Sequence, residues 1–163
     1  MPEHRPRLVV IDGNALIHRA FHALPNLTSP KGEPVNAVYG FALVFLKVLK
    51  ELKPEYVVAA FDPPGKTFRH EAYAEYKATR VKAPQELYDQ IPRVKELVAA
   101  FNVPVFEQPG FEADDVIGTV TAKAKNVERV IVTGDMDTLQ LVDEHTKVYT
   151  LKKGLGETII YDE

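Results

Sequence analysis

Short apolar runs of strand length alternate along this chain with longer segments in which apolar residues recur at helical spacing. The run at 8–11 is unbroken, which is typical of a strand buried on both faces, and further strands are expected at 56–61 and 129–132. Residues 15–24 and 36–52 have the spacing of helices. Because strands joined by helices form right-handed crossovers, the pattern predicts an α/β fold with a mainly parallel central sheet and helices on both faces.

The remaining pattern predicts how the sheet is completed. A further strand is expected at 103–106 and a helix at 112–125, while residues 27–34 contain Ser, Gly and Pro and indicate a loop. Asn36 is the expected N-cap of the helix after that loop. The segments 147–151 and 157–161 predict an antiparallel closing pair at a sheet edge.

Composition narrows the classes of protein that this chain can be. The 163 residues suit one domain spanning 1–163, with 45% hydrophobic and 26% charged residues. The net charge of −3 excludes a simple basic nucleic-acid binder, and the absence of Cys excludes disulfides and thiolate metal sites. The apolar run at 8–11 is too short for a signal peptide or a membrane span, so we expect a soluble, cytoplasmic protein with no membrane partner.

Carboxylates follow the predicted strands where a parallel sheet places its ligand site, beyond the carboxyl ends of the strands. Taken singly, each acid could be a helix cap or a turn residue. Together they would repel one another unless cations neutralise them, and oxygen ligands without His or Cys favour Mg²⁺ or Mn²⁺. The candidate metal ligands are Asp12, Asp62, Glu112, Asp114, Asp115, Asp135 and Asp137. On a helix, Glu112 and Asp115 would share a face and Asp114 would point aside.

A basic segment, residues 66–82, follows Asp62 after two prolines and a glycine. It has five Lys or Arg against two Glu, a net charge of +3, interleaved with aromatic residues. If it is helical, Arg69, Tyr73, Lys77 and Arg80 form one stripe suited to phosphates and bases, although a solvated helix face is the plainer alternative. The candidate DNA-binding residues are Lys66, Arg69, His70, Tyr73, Tyr76, Lys77, Arg80 and Lys82.

A different chemistry is indicated by residues 130–138, VIVTGDMDT. A strand followed by DxDxT is typical of HAD-like aspartyl-phosphate phosphatases, in which the first Asp, here Asp135, attacks phosphorus. Little chain follows for the other residues that such an enzyme requires. The phosphatase therefore stays as an alternative hypothesis.

Five stretches of this sequence, covering most of the chain, closely resemble a known family. They are VVIDGNALIHRAFHAL, NAVYGFALVFLKVL, AAFDPPGKTFRHEAYAEYKATR, PGFEADDVIGT and VTGDMDTLQLV. They are similar to the N-terminal 5′-nuclease domain of bacterial DNA polymerases I, within the flap-endonuclease, PIN-like superfamily. The resemblance implies a divalent-metal 5′→3′ exonuclease and structure-specific 5′-flap endonuclease acting on DNA, with a 5′ flap, a nick or a 5′-ended duplex as substrate.

The resemblance also implies roles for particular residues. The seven carboxylates would form the metal site, with Asp114 among the catalytic residues and Asp12 and Asp62 holding a hydration shell. Lys77 and Arg80 would contact the scissile phosphate on an arch helix. Two ions about 3.5–4 Å apart would activate water for in-line attack. The pair His18 and His22 is expected to lie at the surface or to face the substrate.

The sequence departs from the family pattern at its end. Family members continue into a helix–hairpin segment that grips duplex DNA and carries a G-D-x-S-D-N motif for the second ion, whereas this sequence stops at Glu163. We therefore expect weak or no activity from this chain alone. A polymerase domain linked in the full gene is a further partner consistent with the resemblance, and a nucleic-acid-binding module that does not cut is the alternative function.

Overall fold

The computed structural model describes residues 5–163 and contains one six-stranded sheet. The strand order is β3-β2-β1-β4-β5-β6; the first five of these run parallel to one another and β6 is antiparallel to β5. The strands are β1 (Arg7–Asp12), β2 (Tyr56–Ala60), β3 (Val105–Phe106), β4 (Glu128–Thr133), β5 (Thr146–Lys153) and β6 (Glu157–Tyr161).

Helices cover both faces of the sheet. They are α1 (Gly13–Ala23), α2 (Asn36–Leu52), α3 (Phe68–Ala72), α4 (Gln85–Tyr88), α5 (Ile91–Ala100) and α6 (Ala113–Lys123), with a 3₁₀ helix at Met136–Leu141. The larger core packs α1, α2, α4 and α5 against one face of the sheet, and the smaller core packs α6 against the other. Within residues 5–163, no helix is long and apolar enough to cross a membrane.

The strand order places a crevice at the centre of the sheet. From β1 the chain proceeds to β2 and β3 on one side and then returns to β4 and β5 on the other, so β1 and β4 are neighbours although far apart in sequence. At such a reversal the connections leave the carboxyl ends of the two strands in opposite directions, and ligands bind in the space between them. Asp12 ends β1 and Thr133 ends β4 at this point.

The predicted mainly parallel α/β sheet is confirmed, with β6 antiparallel at one edge as expected. The prediction that Asn36 caps α2 was wrong. Val35 is the N-cap, and Asn36 is a buried first-turn residue whose side-chain amide donates to the carbonyl of Phe21 at 3.1 Å. The sequence pattern also predicted no helix or strand for residues 83–102, although they contain α4 and α5.

The basic segment, residues 66–82, does not form the continuous helix that was considered from the sequence. Only Phe68–Ala72 is helical, and turns follow it. Lys77 has a φ of 56°, which an α-helix does not accommodate. Arg69, Tyr73, Lys77 and Arg80 consequently do not form the single stripe that continuous helical spacing would produce.

A buried amide joins the end of this irregular region to the core. Gln90 is 1% exposed, and its Oε1 accepts hydrogen bonds from the backbone N–H groups of Ala37 and Val38 at 2.8 and 3.2 Å. Its Nε2 donates to Asn36 Oδ1 at 3.0 Å and to the carbonyl of Glu86 at 2.9 Å. The first turn of α2 thus obtains from another helix the cap that its own Val35 cannot supply.

We predict that Gln90→Ala lowers the free energy of unfolding by about 3 kcal/mol, because two buried N–H groups lose their acceptor. Urea unfolding followed by circular dichroism measures the change. The matched control is Gln85→Ala, an exposed glutamine at the start of α4, which should change stability by less than about 0.5 kcal/mol. Equal stability of the two variants would contradict the capping role.

Candidate functional site

A cavity of about 1270 Å³ opens at the carboxyl edge of the sheet. It lies at the reversal between β1 and β4, and its floor is acidic. Five of the seven predicted ligands line it, namely Asp12, Asp62, Glu112, Asp114 and Asp135. Glu112 and Asp114 both lie at the start of α6, and the other three come from separate segments of the chain. The parallel sheet is what brings these distant positions to one place.

Asp12 is the most buried of the five, with 3% of its surface exposed. Its Oδ1 caps α1 by accepting from the N–H of Ala15 at 3.1 Å, and its Oδ2 accepts from the Thr133 hydroxyl at 2.6 Å. Burial raises the pKa of Asp12 to about 6, against the lowering effect of these hydrogen bonds and with a contribution from Asp114 and Asp62. The ionised carboxylate of Asp12 therefore makes the folded state less stable than the protonated form would.

Asp62 connects the end of β2 to two helices. Its N–H donates to Asn14 Oδ1 at 2.8 Å, and its Oδ1 accepts from the N–H of Ala113, the first residue of α6, at 2.7 Å. Asn14 also lines the cavity. Nothing in the local sequence pattern shows that the amide of Asn14 would hold a loop that follows another strand.

The charges around Asp114 show that the carboxylates face one another. Burial, followed by the charges of Asp135, Asp62 and Glu112, raises the pKa of Asp114. Asp135 is held by its own loop: its Oδ1 accepts from the N–H of Asp137, and its N–H donates to Thr133 Oγ1, both at 2.9 Å. Thr133 thus orders two of the acids, a role that the sequence pattern did not indicate.

The other two predicted ligands lie outside the lining of the cavity. Asp137 is exposed on the 3₁₀ helix. Asp115 forms a bidentate ion pair with Arg69, with both N–O distances at 2.7 Å, and its Oδ2 also accepts from the N–H of Glu112 at 2.9 Å. The hydrogen bonds from Arg69 lower the pKa of Asp115. It shares a capping box with Glu112, which fixes the start of α6.

The basic segment closes over the acidic floor through Glu112. Lys77 Nζ donates to Glu112 Oε1 at 2.9 Å, the Tyr76 hydroxyl donates to Oε2 at 3.1 Å, and Arg69 Nη1 lies 3.6 Å from Oε2. Burial lowers the pKa of Lys77, but the Glu112 contact outweighs it and the pKa is raised overall. The positive φ of Lys77 is a conformation that costs energy for a side chain with a Cβ, and these contacts offset that cost.

The predicted DNA-binding residues divide into two groups. One group lines the cavity opposite the acids: His70, Tyr76, Lys77, Arg80 and Lys82. Lys66, Arg69 and Tyr73 lie outside that lining. The ring of His70 has a local task as well, because its Nδ1 accepts from the N–H of Thr67 at 3.1 Å and so completes the cap of α3.

Helix α1 contributes further basic residues to the same wall, His18, Arg19 and His22. The two histidine rings lie 6.5 Å apart. Burial, together with the charges of Arg80 and His22, lowers the pKa of His18, so its imidazole is mainly neutral at pH 7. Arg19 also donates to the carbonyls of Leu151 and Lys152 and thereby holds the β5–β6 hairpin.

Across residues 5–163, no three acidic or histidine side chains stand close enough together to hold one metal ion as they are. The reason is visible in their contacts, since Glu112 is engaged by Lys77 and Tyr76, and Asp62 by the start of α6. The donor set nevertheless fits a hard divalent cation, because five carboxylates line one cavity and burial and neighbouring negative charge raise the pKa values of two of them, Asp12 and Asp114.

A family model described as "5'-3' exonuclease, N-terminal resolvase-like domain" matches residues 7–163. The DNA polymerase I of Chloroflexus aurantiacus is 48% identical over 159 residues, and that of Caldicellulosiruptor bescii is 47% identical over 155 residues. The alignments cover 95% and 94% of this chain but only 17% and 18% of those relatives. The chain therefore spans less than a fifth of the length of the polymerases that it matches.

The fold is similar to that of a solved nuclease. The T5 5′-exonuclease with bound zinc aligns with a TM-score of 0.73 at 17% identity, covering 96% of this chain and 58% of the other. At this identity the likeness establishes the arrangement of sheet and helices. It agrees with the mainly parallel sheet with helices on both faces that was predicted from the sequence.

We predict that Asp12→Asn stabilises the metal-free protein at pH 8 by roughly 2 kcal/mol, since it removes a buried charge and Asn caps a helix as well as Asp. The pKa of Asp12 is raised above its unfolded value, so its deprotonation penalises the folded state increasingly from about pH 4 to pH 6. The gain should vanish below about pH 4. Urea unfolding between pH 4 and pH 8 in EDTA measures it, with exposed Asp137→Asn as control; a gain that persists at pH 4 would contradict the assignment.

We also predict that Arg69→Gln loosens the basic segment, because it breaks the bidentate pair with Asp115. Trypsin should cut after Lys77 and Arg80 roughly tenfold faster than in the unaltered chain. The control is Arg93→Gln, an arginine on α5 whose ion pairs with Glu33 and Glu96 lie on the exposed surface. Unchanged cutting at both sites in Arg69→Gln would show that other contacts hold the segment.

Proposed function

This chain belongs to the 5′-3′ exonuclease, N-terminal resolvase-like domain family, and from that premise we propose that it hydrolyses DNA phosphodiester bonds with a divalent metal ion. The proposed activities are 5′→3′ exonuclease and 5′-flap endonuclease. The observation that carries the proposal is the meeting of five carboxylates with a wall of basic side chains across one cavity. Such a site neutralises metal cations on one side and a phosphate on the other.

The metal is proposed to be Mg²⁺ or Mn²⁺, held by the carboxylates that line the cavity. A bound ion would lower the pKa of a coordinated water and offset charge on the phosphate. Support comes from the carboxylate oxygens that line the cavity and from the raised pKa values of Asp12 and Asp114, because a neighbouring cation would offset their burial and mutual repulsion. Asp115 and Asp137 contribute indirectly: the Asp115 carboxylate accepts from the N–H of Glu112, and the N–H of Asp137 donates to the carboxylate of Asp135.

Lys77 and Arg80 are proposed to bind the scissile phosphate. Lys77 is paired with Glu112 in the free chain, and the same ammonium can turn to a phosphate when a metal ion takes the place of its charge beside Glu112. Positive charge near the reacting phosphorus stabilises the additional negative charge that develops during in-line attack. Arg80 is exposed and lines the same wall, so it reaches the phosphate without first giving up a carboxylate.

Two other functions were open from the sequence. The phosphatase requires Asp135 as a nucleophile, but its Oδ1 accepts from the N–H of Asp137 and the family match runs through this loop. A module that binds DNA without cutting needs the basic wall alone and leaves the five clustered acids unexplained. The nuclease accounts for both halves of the cavity.

We predict that the chain cuts a 5′-labelled flap duplex in Mg²⁺ or Mn²⁺, although slowly because the family's further DNA-gripping segment is not part of this sequence, and that Asp114→Asn lowers that rate at least 100-fold because a metal ligand is lost. Lys77→Ala should lower kcat by roughly 10²–10³-fold, the usual effect of removing one positive group at a developing charge. Single-turnover cleavage followed on a denaturing gel measures both. Lys50→Ala, an exposed lysine on α2 away from the cavity, is the matched control.

Binding is measured in Ca²⁺ to separate it from cutting. Binding without any cutting in Mg²⁺ or Mn²⁺ would favour the binding module. Turnover of a small phosphomonoester that Asp135→Asn abolishes and Lys77→Ala leaves intact would favour the phosphatase. An equal loss of cleavage rate in Lys50→Ala and Lys77→Ala would mean that the loss follows from the change in net charge and not from the position of Lys77.

A further inference from the structure

A second groove, of about 510 Å³, lies outside the carboxylate cavity along the outer face of α6. It is lined by Phe68 and Phe111 near the start of α6, by Gly118 in the middle of the helix and by Lys123 at its end. Asp114 lines both this groove and the main cavity. The groove therefore adjoins the carboxylate cavity at Asp114.

The two phenylalanines form an exposed but fixed aromatic surface. Their ring centroids lie 5.4 Å apart at 52°, and 42% and 44% of the two residues is exposed. The N–H of Phe68 donates to the carbonyl of Gly110 at 2.8 Å, and this bond ties together the two segments that carry the rings. The Arg69 guanidinium lies 4.6 Å from the centroid of Phe68. Fixed aromatic faces beside a cation are the features on which unpaired bases stack.

Gly118 is a second, independent indication of a ligand. It lies inside α6, where glycine destabilises a helix relative to alanine. Packing does not require it, because a Cβ at this position would meet nothing within 4 Å. Glycine without a packing need is the residue found where a ligand approaches a backbone closely.

The charges along the groove indicate which part of a nucleotide lies where. Asp115, at the aromatic end, is neutralised by its bidentate pair with Arg69, so that end suits an uncharged ring. The cation at the other end is Lys123, which suits a phosphate. A protein segment would need neither this division of charge nor continuity with the carboxylate cavity.

We propose that this groove binds an unpaired nucleotide of the DNA strand, its base stacked on Phe68 and Phe111 and its phosphate towards Lys123. The inference rests on the proposed function for the identity of the strand. It adds to that function a subsite that is tolerant of sequence, since every base has a face that can stack. The site then distinguishes a strand with an unpaired flap from a nicked duplex without one.

The test compares binding of a 5′-flap duplex and of the same nicked duplex without the flap, by fluorescence anisotropy in Ca²⁺ at fixed salt. We expect the unaltered chain to bind the flapped form more tightly. Phe68→Ala and Phe111→Ala should each weaken flap binding by roughly 5- to 100-fold and leave the nicked duplex nearly unaffected. Phe111→Trp should preserve the preference, and Tyr56→Ala, an exposed aromatic at the opposite end of the sheet, should not alter it.

A third variant separates loss of the groove from loss of folding. Gly118→Leu fills the groove and strengthens the helix, so weaker flap binding cannot be attributed to unfolding. In addition, 5-iododeoxyuridine in the flap should photo-crosslink to the peptide that contains Phe111. A flap preference retained in both alanine variants and in Gly118→Leu would overturn the subsite while leaving the nuclease standing. Failure of the unaltered chain to bind or cut any DNA would overturn the proposed function itself.

Discussion

Repulsion among the carboxylates at the carboxyl edge of the sheet is the constraint on which the rest of the structure depends. Burial and neighbouring negative charge raise the pKa values of Asp12 and Asp114. The free chain limits this repulsion by covering Glu112 with Lys77, Tyr76 and Arg69 and by pairing Asp115 with Arg69. The conformation of residues 66–82 follows from that need, since their own sequence supports only one short helix.

The sheet makes this concentration of charge tolerable. Strands β1 and β4 are buried and bonded to neighbours on both sides, so a charge at their ends strains the loops and leaves the ladder intact. The Thr133 hydroxyl and the N-termini of α1 and α6 supply the donors that hold the acids, and Asn14 Oδ1 fixes the loop of Asp62 by accepting from its N–H. The favourable free energy of packing the core thus outweighs the unfavourable free energy of the clustered carboxylates. Such a trade-off between stability and function is common.

Periodicity in the sequence was sufficient for the sheet, because buried parallel strands contain continuous apolar runs, such as 8–11 and 130–132, whatever their neighbours are. It was insufficient for residues 66–82 and 83–102. The first segment takes its form from ion pairs with Glu112 and Asp115, which lie more than 30 residues further along the chain. The second begins α5 with Pro92 near its start and depends on Gln90 reaching across to α2, a contact without any local signal.

The candidate site shows the same division. Carboxylates after strands could be recognised as a group, because a parallel topology carries strand ends to one edge. The sequence could not show which of these carboxylates face the cavity. Helical spacing predicted that Glu112 and Asp115 share a face. In the structure Asp115 belongs to the capping box and pairs with Arg69, whereas Glu112 and Asp114 line the cavity.

The pairing of Lys77 with Glu112 has a consequence for how such a site operates. One ammonium group cannot neutralise Glu112 and a phosphate at full strength at the same time. A cation that takes over Glu112 therefore releases Lys77 for the phosphate, and a phosphate that attracts Lys77 frees Glu112 for a cation. Under the proposed function each event would remove the competitor of the other, so a metal ion and DNA would favour one another's binding, and linkage requires the effect to be equal in both directions. The strained backbone of Lys77 keeps the closed form from becoming too stable to open.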